Sequence, residues 1–389
     1  MNTPSIRPGA RLRNLAAMGA VAAALVLVGC SSGTTEEAAA PEETSSGSGS
    51  TLESRLAEYL SPAESYDLPT DEIADGSALE GTTVYYVPIT LQAPQFALTS
   101  ELIQEAVSAA GATLQVCNGD GNPTTLSACI DSAKNDPNTG GIITDGWYYG
   151  MAANSLNAAQ EAGVPIVYGN SFSEDQFPQS STLANVDSPG TEMASAVLTW
   201  VAVDSGEAGN VLFIKSADGP STVKFAAEAS AAFAADCPEC TYTEIEATTA
   251  TSSQLEGELN TKLLQDPNIA YIVPQFAQYL PTVIPTTRAS GSQAQIGTTA
   301  AALGALQAVA GGDVAAASGQ SVPFGAWAFV DTLLRMVNGQ DTFDYSLPTR
   351  LFTAENIGDI DLSEAAEASG EWYGPTDFPA KFKTLWGRA

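Results

Sequence analysis

From Thr82 onward the chain alternates short β-rich runs with Ala-rich amphipathic segments, and it does so twice. In the first series, strands are predicted over Thr82–Ile89, Thr113–Val116, Gly141–Thr144, Val164–Tyr168 and Thr182–Val186. Helices are predicted between and after them over Pro94–Ala110, Pro123–Asn135, Tyr149–Ala162 and Gly190–Asp204. At 206–210 the composition turns small and polar and the pattern restarts. Strands follow over Val211–Lys215, Thr241–Ile245, Ile269–Val273 and Gln295–Gly297, and helices over Ser221–Ala235, Ser253–Gln265 and Ala300–Ala310. Phe276–Arg288 reads as helical or turn-like, broken by Pro281 and Pro285. Continuous apolar strands alternating with helices of this length specify βαβ units, hence parallel sheets covered on both faces. The repeated layout predicts an α/β chain of two doubly wound parallel-sheet lobes.

The residues ahead of this pattern set an address. Arg7, Arg11 and Arg13 precede an apolar run from Leu15 to Val28, with no acid among residues 1–29. A charged head, a short apolar stretch and small residues describe a secretory signal peptide. The run is too short to cross a bilayer comfortably, which takes about 20 apolar residues. Leu27-Val28-Gly29-Cys30 resembles the bacterial lipobox, in which the Cys thiol is acylated, for example with palmitate, and becomes the new N-terminus. The alternative is an ordinary signal peptide with a chance Cys at its boundary. The following residues, to about Ser50, are Ser, Gly, Thr, Glu, Ala and Pro with no aromatic, a composition expected of a disordered tether. A lipid at Cys30 and this tether would hold the rest of the chain, extracytoplasmic, at the membrane surface. Leu52–Leu60 has the makings of a short helix and 62–81 looks irregular. Residues 51–81 are therefore expected to be a leader packed loosely on the first lobe.

The formal charge is −31, and removing the three arginines of residues 1–29 makes it −34, which excludes nucleic acid as a partner. With no histidine in the chain, Ser-His-Asp and Cys-His mechanisms and His-containing metal sites are excluded. No metal, no cofactor and no enzymatic activity are expected. Apart from Cys30, four cysteines remain: Cys117, Cys129, Cys237 and Cys240. An even number outside the cytoplasm points to disulfides, and three pairings are open. Cys117–Cys129 with Cys237–Cys240 is favoured because each pair brackets a short local turn. Cys237-Pro238-Glu239-Cys240 also has the spacing of a redox motif, but that motif should open a helix after a strand. Here it follows a helical stretch and precedes a strand.

Several segments together resemble the type I periplasmic binding proteins, in particular the ribose- and galactose-type solute receptors of ABC importers. They are Ala93-Pro94-Gln95-Phe96, Ile142-Ile143-Thr144-Asp145-Gly146-Trp147, Gly163-Val164-Pro165-Ile166-Val167-Tyr168, Asn185-Val186-Asp187, Ser216-Ala217-Asp218-Gly219, Pro267-Asn268-Ile269, Gln275-Phe276 and Gly339-Gln340. The likeness covers about Thr82 to Asn356. It implies two lobes joined by a multi-strand hinge, with crossings near 202–209, 317–322 and 343–347. It assigns 82–206 plus 321–342 to the N-terminal lobe and 207–320 plus 343–389 to the C-terminal lobe, with helix Phe324–Asn338 returning to the first. It also implies a small-molecule solute in the cleft, an ABC permease as partner, and a monomer. The ligand-binding residues it implies are Gln95, Phe96, Trp147, Tyr148, Asn170, Asp187, Lys224, Gln275, Phe276, Thr298 and Gln320.

The departures bear on the ligand. Where sugar receptors place an Asp after the fourth strand this chain has Gly169-Asn170, and Lys224 is the only cation near the second-lobe helix start. Gln275-Phe276 and Thr298-Thr299 replace further charged or polar pairs. Aromatic residues stand in their place, among them Trp147, Tyr148, Tyr149, Tyr168, Phe172 and Phe276, so a neutral sugar or a related polar or aromatic solute is expected. Each residue also has a structural reading. Trp147 to Tyr149 would cap the first-lobe core, Phe96 would act as a helix staple, Asp187 as an N-cap, Lys224 as a solvated charge, and Gln275 and Gln320 as partners of backbone groups. A sensory receptor docking on a membrane signalling protein is the alternative function. A secreted enzyme would need paired carboxylates in the cleft loops, and none stands out.

Overall fold

The computed structural model describes residues 49–388 apart from 173, 175, 249 and 250. The expected signal peptide (1–29), Cys30 and nearly all of the tether (30–50) lie outside the described residues. A first helix, α1, spans Gly49–Leu60. The apolar runs of the first series then form β1 (Thr83–Pro88), β2 (Thr113–Val116), β3 (Thr139–Asp145), β4 (Ile166–Gly169) and β5 (Leu183–Val186). They pair in parallel in the order β2-β1-β3-β4-β5. Between them run α2 (Pro94–Ala109), α3 (Pro123–Asn135) and α4 (Ala153–Glu161), and α5 (Gly190–Asp204) follows. The second sheet takes β6 (Asn210–Ser216), β7 (Thr241–Ala247), β8 (Tyr271–Pro274), β9 (Gln295–Thr298), β10 (Ala316–Gln320) and β11 (Thr349–Thr353), in the order β11-β10-β9-β8-β6-β7. It is parallel except for β11, which runs antiparallel to β10. Its helices are α6 (Pro220–Asp236), α7 (Leu255–Gln265), α8 (Leu280–Ser290) and α9 (Leu303–Ala310). The chain closes with α10 (Val322–Val337), α11 (Glu364–Ser369) and α12 (Phe378–Leu385).

Helix α10 is apolar nearly all round and returns to the first sheet. Phe324, Trp327, Phe329, Val330 and Leu333 are buried in one core with Val84, Tyr86, Ile143, Val167 and Val186. A helix apolar on every side must be covered on every side. Here its other face is roofed by α12 through Phe378, Phe382 and Trp386. The tail expected in the C-terminal lobe therefore divides: β11 and Trp372–Tyr373 join the second core, and α12 joins the first.

Helix α5 has the predicted bounds but not the predicted neighbours. Expected in the first lobe, it packs on the second sheet, with Ala194, Val197 and Val201 against Val211, Phe213, Val273 and Ala316. The first crossing thus lies at Asp187–Pro189, ahead of α5, and not at 202–209. The chain passes from β10 straight into α10, whose residues join the first core, and then into β11, whose Phe352 joins the second.

Residues 51–81 are not loosely packed, nor confined to one lobe. Leu52 and Leu56 are buried with α5 and Leu351, whereas Tyr66, Ile73 and Leu79 belong to the first core. Leu60 O accepts from Arg350 Nε and Asn356 Nδ2, Ala63 N donates to Tyr373 O, and Ile73 N to Leu385 O. One buried carboxylate draws these segments together. Asp331 pairs with Arg335 at 2.7 Å and accepts from Tyr345 Oη at 2.7 Å and Trp386 Nε1 at 2.8 Å. Arg335 donates onward to Asp71 O at 2.9 Å.

The disulfides are Cys117–Cys129 and Cys237–Cys240, with Cα separations of 5.8 and 5.3 Å. Among the described residues no helix is long and apolar enough to cross a membrane.

Candidate functional site

In a parallel sheet the loops after the strands gather at the carboxyl edge, where ligands bind. Both sheets turn this edge toward a common cleft of about 760 Å³. The first sheet contributes Ile89 and Thr90 after β1, Gly146 to Tyr148 after β3, and Asn170 and Ser171 after β4. The second contributes Ser216 at the end of β6, Asp218 and Gly219 after it, Phe276 after β8, and Ala300 and Ala302 after β9.

Local geometry sets the aromatic side chains. Gly146 adopts φ +75° directly beneath the Phe96 ring, so a Cβ there would collide with the ring. Trp147 is only 2% exposed and donates from Nε1 to Val87 O at 2.9 Å. It lines the cleft with one face while belonging to the first-lobe core. Tyr149 N is held by Tyr168 Oη at 2.9 Å and by Glu174 Oε1 at 3.0 Å, which braces the loop that carries half-buried Tyr148. Across the cleft the Tyr148 ring lies against Gly219, where an added Cβ would sit 2.9 Å from Cδ1. A second contact joins the lobes nearby. The Phe172 ring is 4.6 Å from that of Phe225, its N donates to Ser221 Oγ at 3.2 Å, and Lys224 Nζ stands 3.5 Å above its centroid.

A polar chain leads from the first core to the hinge. Asp145, at the end of β3, is fully buried and accepts from Tyr86 Oη and, at 2.7 Å, from Asn170 Nδ2. Asn170, at φ +51°, accepts on Oδ1 from Gln320 Nε2 at 3.1 Å. Gln320 ends β10, so this bond links the two sheets where the chain crosses back to α10. Burial pushes the Asp145 carboxyl up to about 6, against the downward pull of the bonds from Tyr86 and Asn170. The buried Oε1 of Gln320 has no hydrogen-bond partner, and the residue lines a smaller cavity of about 20 Å³ with Gln95, Ala300 and Tyr373.

Of the eleven residues expected at the site, Gln95, Phe96, Trp147, Tyr148, Asn170 and Phe276 line the cleft, and Gln320 lines the adjoining cavity. Four do not line it. Gln275 accepts from Ser216 N at 2.7 Å and donates to Thr222 O at 2.8 Å, tying β6 to the start of α6. Thr298 donates to Pro274 O at 3.1 Å. Lys224 pairs with Glu228 at 2.8 Å and covers Phe172. Asp187 lies at the first crossing, where it accepts from Asn185 Nδ2 at 3.5 Å, and the N-cap position of α5 is Pro189. The expectation missed Asp120, Asp218, Ser221, Phe225, Met151 and Ile284. The two aspartates sit in strand-end loops, which a stricter use of the carboxyl-edge rule would have found. Ile284 sits on a helix and has no such signal.

The profile of the periplasmic binding protein domain matches residues 84–341. The chain belongs to this family. Its members are solute-binding proteins, not enzymes. Solved structures share the fold. The ABC sugar transporter subunit from Rhodobacter sphaeroides 2.4.1 aligns over 72% of this chain and 100% of its own, at 17% identity and a TM-score of 0.63. The 5-methylthioribose transporter solute-binding protein from Thermotoga lettingae TMO covers 83% of this chain and 100% of its own, at 14% identity and a TM-score of 0.67. The carbohydrate transporter from Acidothermus cellulolyticus 11B, in complex with myo-inositol, covers 72% and 96%, at 19% identity and a TM-score of 0.60. No protein of curated function matches the chain.

Proposed function

We propose that this chain is the lipid-anchored solute receptor of an ABC importer, acting as a monomer outside the cytoplasm and presenting a small uncharged solute to a membrane permease. The observation that carries the reading is the cleft itself. It is formed by the carboxyl edges of two largely parallel sheets and lined by aromatic rings and amides, with no Lys or Arg among the described residues of its lining. The similar proteins that carry myo-inositol and 5-methylthioribose support a sugar or related compound as the guest. On this reading Phe96, Tyr148 and Phe276 stack on the solute, Trp147 holds the loop at the cleft floor, and Gln95, Asn170 and Gln320 supply hydrogen bonds at the hinge side. Contacts to both lobes form together only when the cleft closes, so the solute's differential affinity for the closed state drives closure. Acylation of Cys30, supported by the lipobox-like sequence and the spacer after it, keeps the receptor near its permease.

A thermal-shift screen of the mature protein against sugars, polyols, nucleosides and phosphorylated compounds tests this. A true ligand at 100 times its Kd adds about 2.7 kcal/mol of stability. Neutral members of the panel should stabilise and phosphorylated ones should not; stabilisation by phosphorylated compounds alone refutes the reading. Cys30→Ser should move the protein from the membrane fraction to the soluble one, and retention at the membrane refutes the anchor.

A further inference from the structure

The cleft has two chemically different walls. Its polar groups come from strand ends, the loops after them and the start of α6, chiefly Asn170, Ser171, Ser216 and Ser221. The wall formed by α8 and α9 is apolar. Leu280, Pro281 and Ile284 lie on one helical face, three and four residues apart, and Ala305 and Ala308 lie three apart on the next helix. Phe276 extends this surface from the end of β8. Pro281 is exposed and Ile284 and Ala308 are half-buried, so the wall is not simply core. At about 760 Å³ the cleft falls in the range of roughly 300–1,000 Å³ typical of sites for drug-sized ligands, more than one sugar ring fills. Among the described residues, the only charged ones in its lining are Asp120 and Asp218, both acidic.

We infer that the guest is amphipathic and carries no negative charge: a polar, hydroxyl-bearing head held at the strand ends and the start of α6, with an apolar or aromatic substituent laid against α8 and α9. This rests on the solute-binding reading above and narrows its ligand class. The hydroxyls meet amides and serine oxygens. The substituent removes Ile284, Pro281 and Ala308 from water, and the two aspartates repel anions.

The test uses pairs of probes that share a head: glucose with phenyl glucoside, and ribose with adenosine, with glucose 6-phosphate as the anionic member. Calorimetric titration of the mature chain carrying Cys30→Ser reads each affinity. At least one substituted probe should bind about tenfold or more tighter than its bare head. Ile284→Gln, at a half-exposed position, should remove most of that preference and leave the head's own affinity within about threefold. Ala308→Asp should do the same, and melting temperatures confirm that both variants fold. If bare heads bind as tightly as their substituted partners, the amphipathic assignment fails while the solute-binding reading stands. A preference that survives both substitutions also overturns it. Tightest binding of glucose 6-phosphate refutes it, as does the absence of any binding by these probes, while the solute-binding reading is decided separately by the wider thermal-shift panel.

Discussion

Replacing Asp145 by Asn probes the polar chain that runs to the hinge. The carboxyl is buried, and burial raises it from about 3.9 in the unfolded chain to about 6 in the folded one. An acid whose folded value is raised binds its proton more tightly in the native state, so its contribution to stability falls as pH rises. The penalty is absent below pH 4, grows between pH 4 and 6, and is complete above 6. A gap of about 2 at 1.36 kcal/mol per pKa unit makes it roughly 3 kcal/mol. The amide of Asp145→Asn does not ionise. It keeps an oxygen for Asn170 Nδ2 and turns its NH2 toward the Tyr86 hydroxyl, which accepts in place of donating, at a cost of about 1 kcal/mol. The variant should therefore be about 2 kcal/mol more stable than the parent at pH 7.5 and about 1 kcal/mol less stable at pH 4. Urea denaturation followed by tryptophan fluorescence at a series of pH values gives the two curves. Groups common to both proteins, such as Glu228 held low by its bond from Lys224, cancel in the difference. Curves that stay parallel from pH 4 to 7.5 would show that Asp145 does not titrate in this window, and the reasoning would fail.

Three further outcomes follow from buried groups. Asp331→Ala leaves Arg335, Tyr345 and Trp386 without their shared acceptor, and removal of one partner from a buried pair costs about 3–5 kcal/mol; thermal melting should show a large loss, and a Tm within 2–3 °C of the parent would refute the role given to this carboxylate. Trp147→Ala should cost about 3–5 kcal/mol of stability in denaturant titration, because the ring is core as well as cleft lining; an unchanged midpoint would place it outside the core. Reducing Cys117–Cys129, or replacing both cysteines by Ser, frees a loop with a sequence separation of 12 and should lower stability by about 2–3 kcal/mol in the same titration, with no change contradicting a structural role.

Much of this architecture is legible in the chain because strands such as β1, β3, β4 and β8 are buried on both faces and read as apolar runs. Helix α5 shows where such legibility stops. Its bounds follow from composition, but it is buried along most of its circumference, so no polar face tells which sheet it covers. Strand β10, Ala-Ala-Ser-Gly-Gln, has no β-branched or aromatic residue and exists because β9 and β11 flank it. At the cleft, sequence position predicts which loops come near but not where a side chain points. Gln275 and Phe276 are adjacent after β8, yet one is consumed by backbone groups and the other lines the cleft. The apolar wall on α8 and α9 was illegible for another reason. Leu280, Ile284 and Ala305 have the spacing of any core-facing helix, and only the tertiary structure shows that part of this face meets the cleft.

The central claim is that two lobes close on a small guest held between their carboxyl edges. Small-angle X-ray scattering of the mature protein, with and without a saturating ligand from the screen, addresses it most directly. The bound state should have a smaller radius of gyration and a shorter maximum dimension. Identical scattering profiles at full occupancy would contradict it.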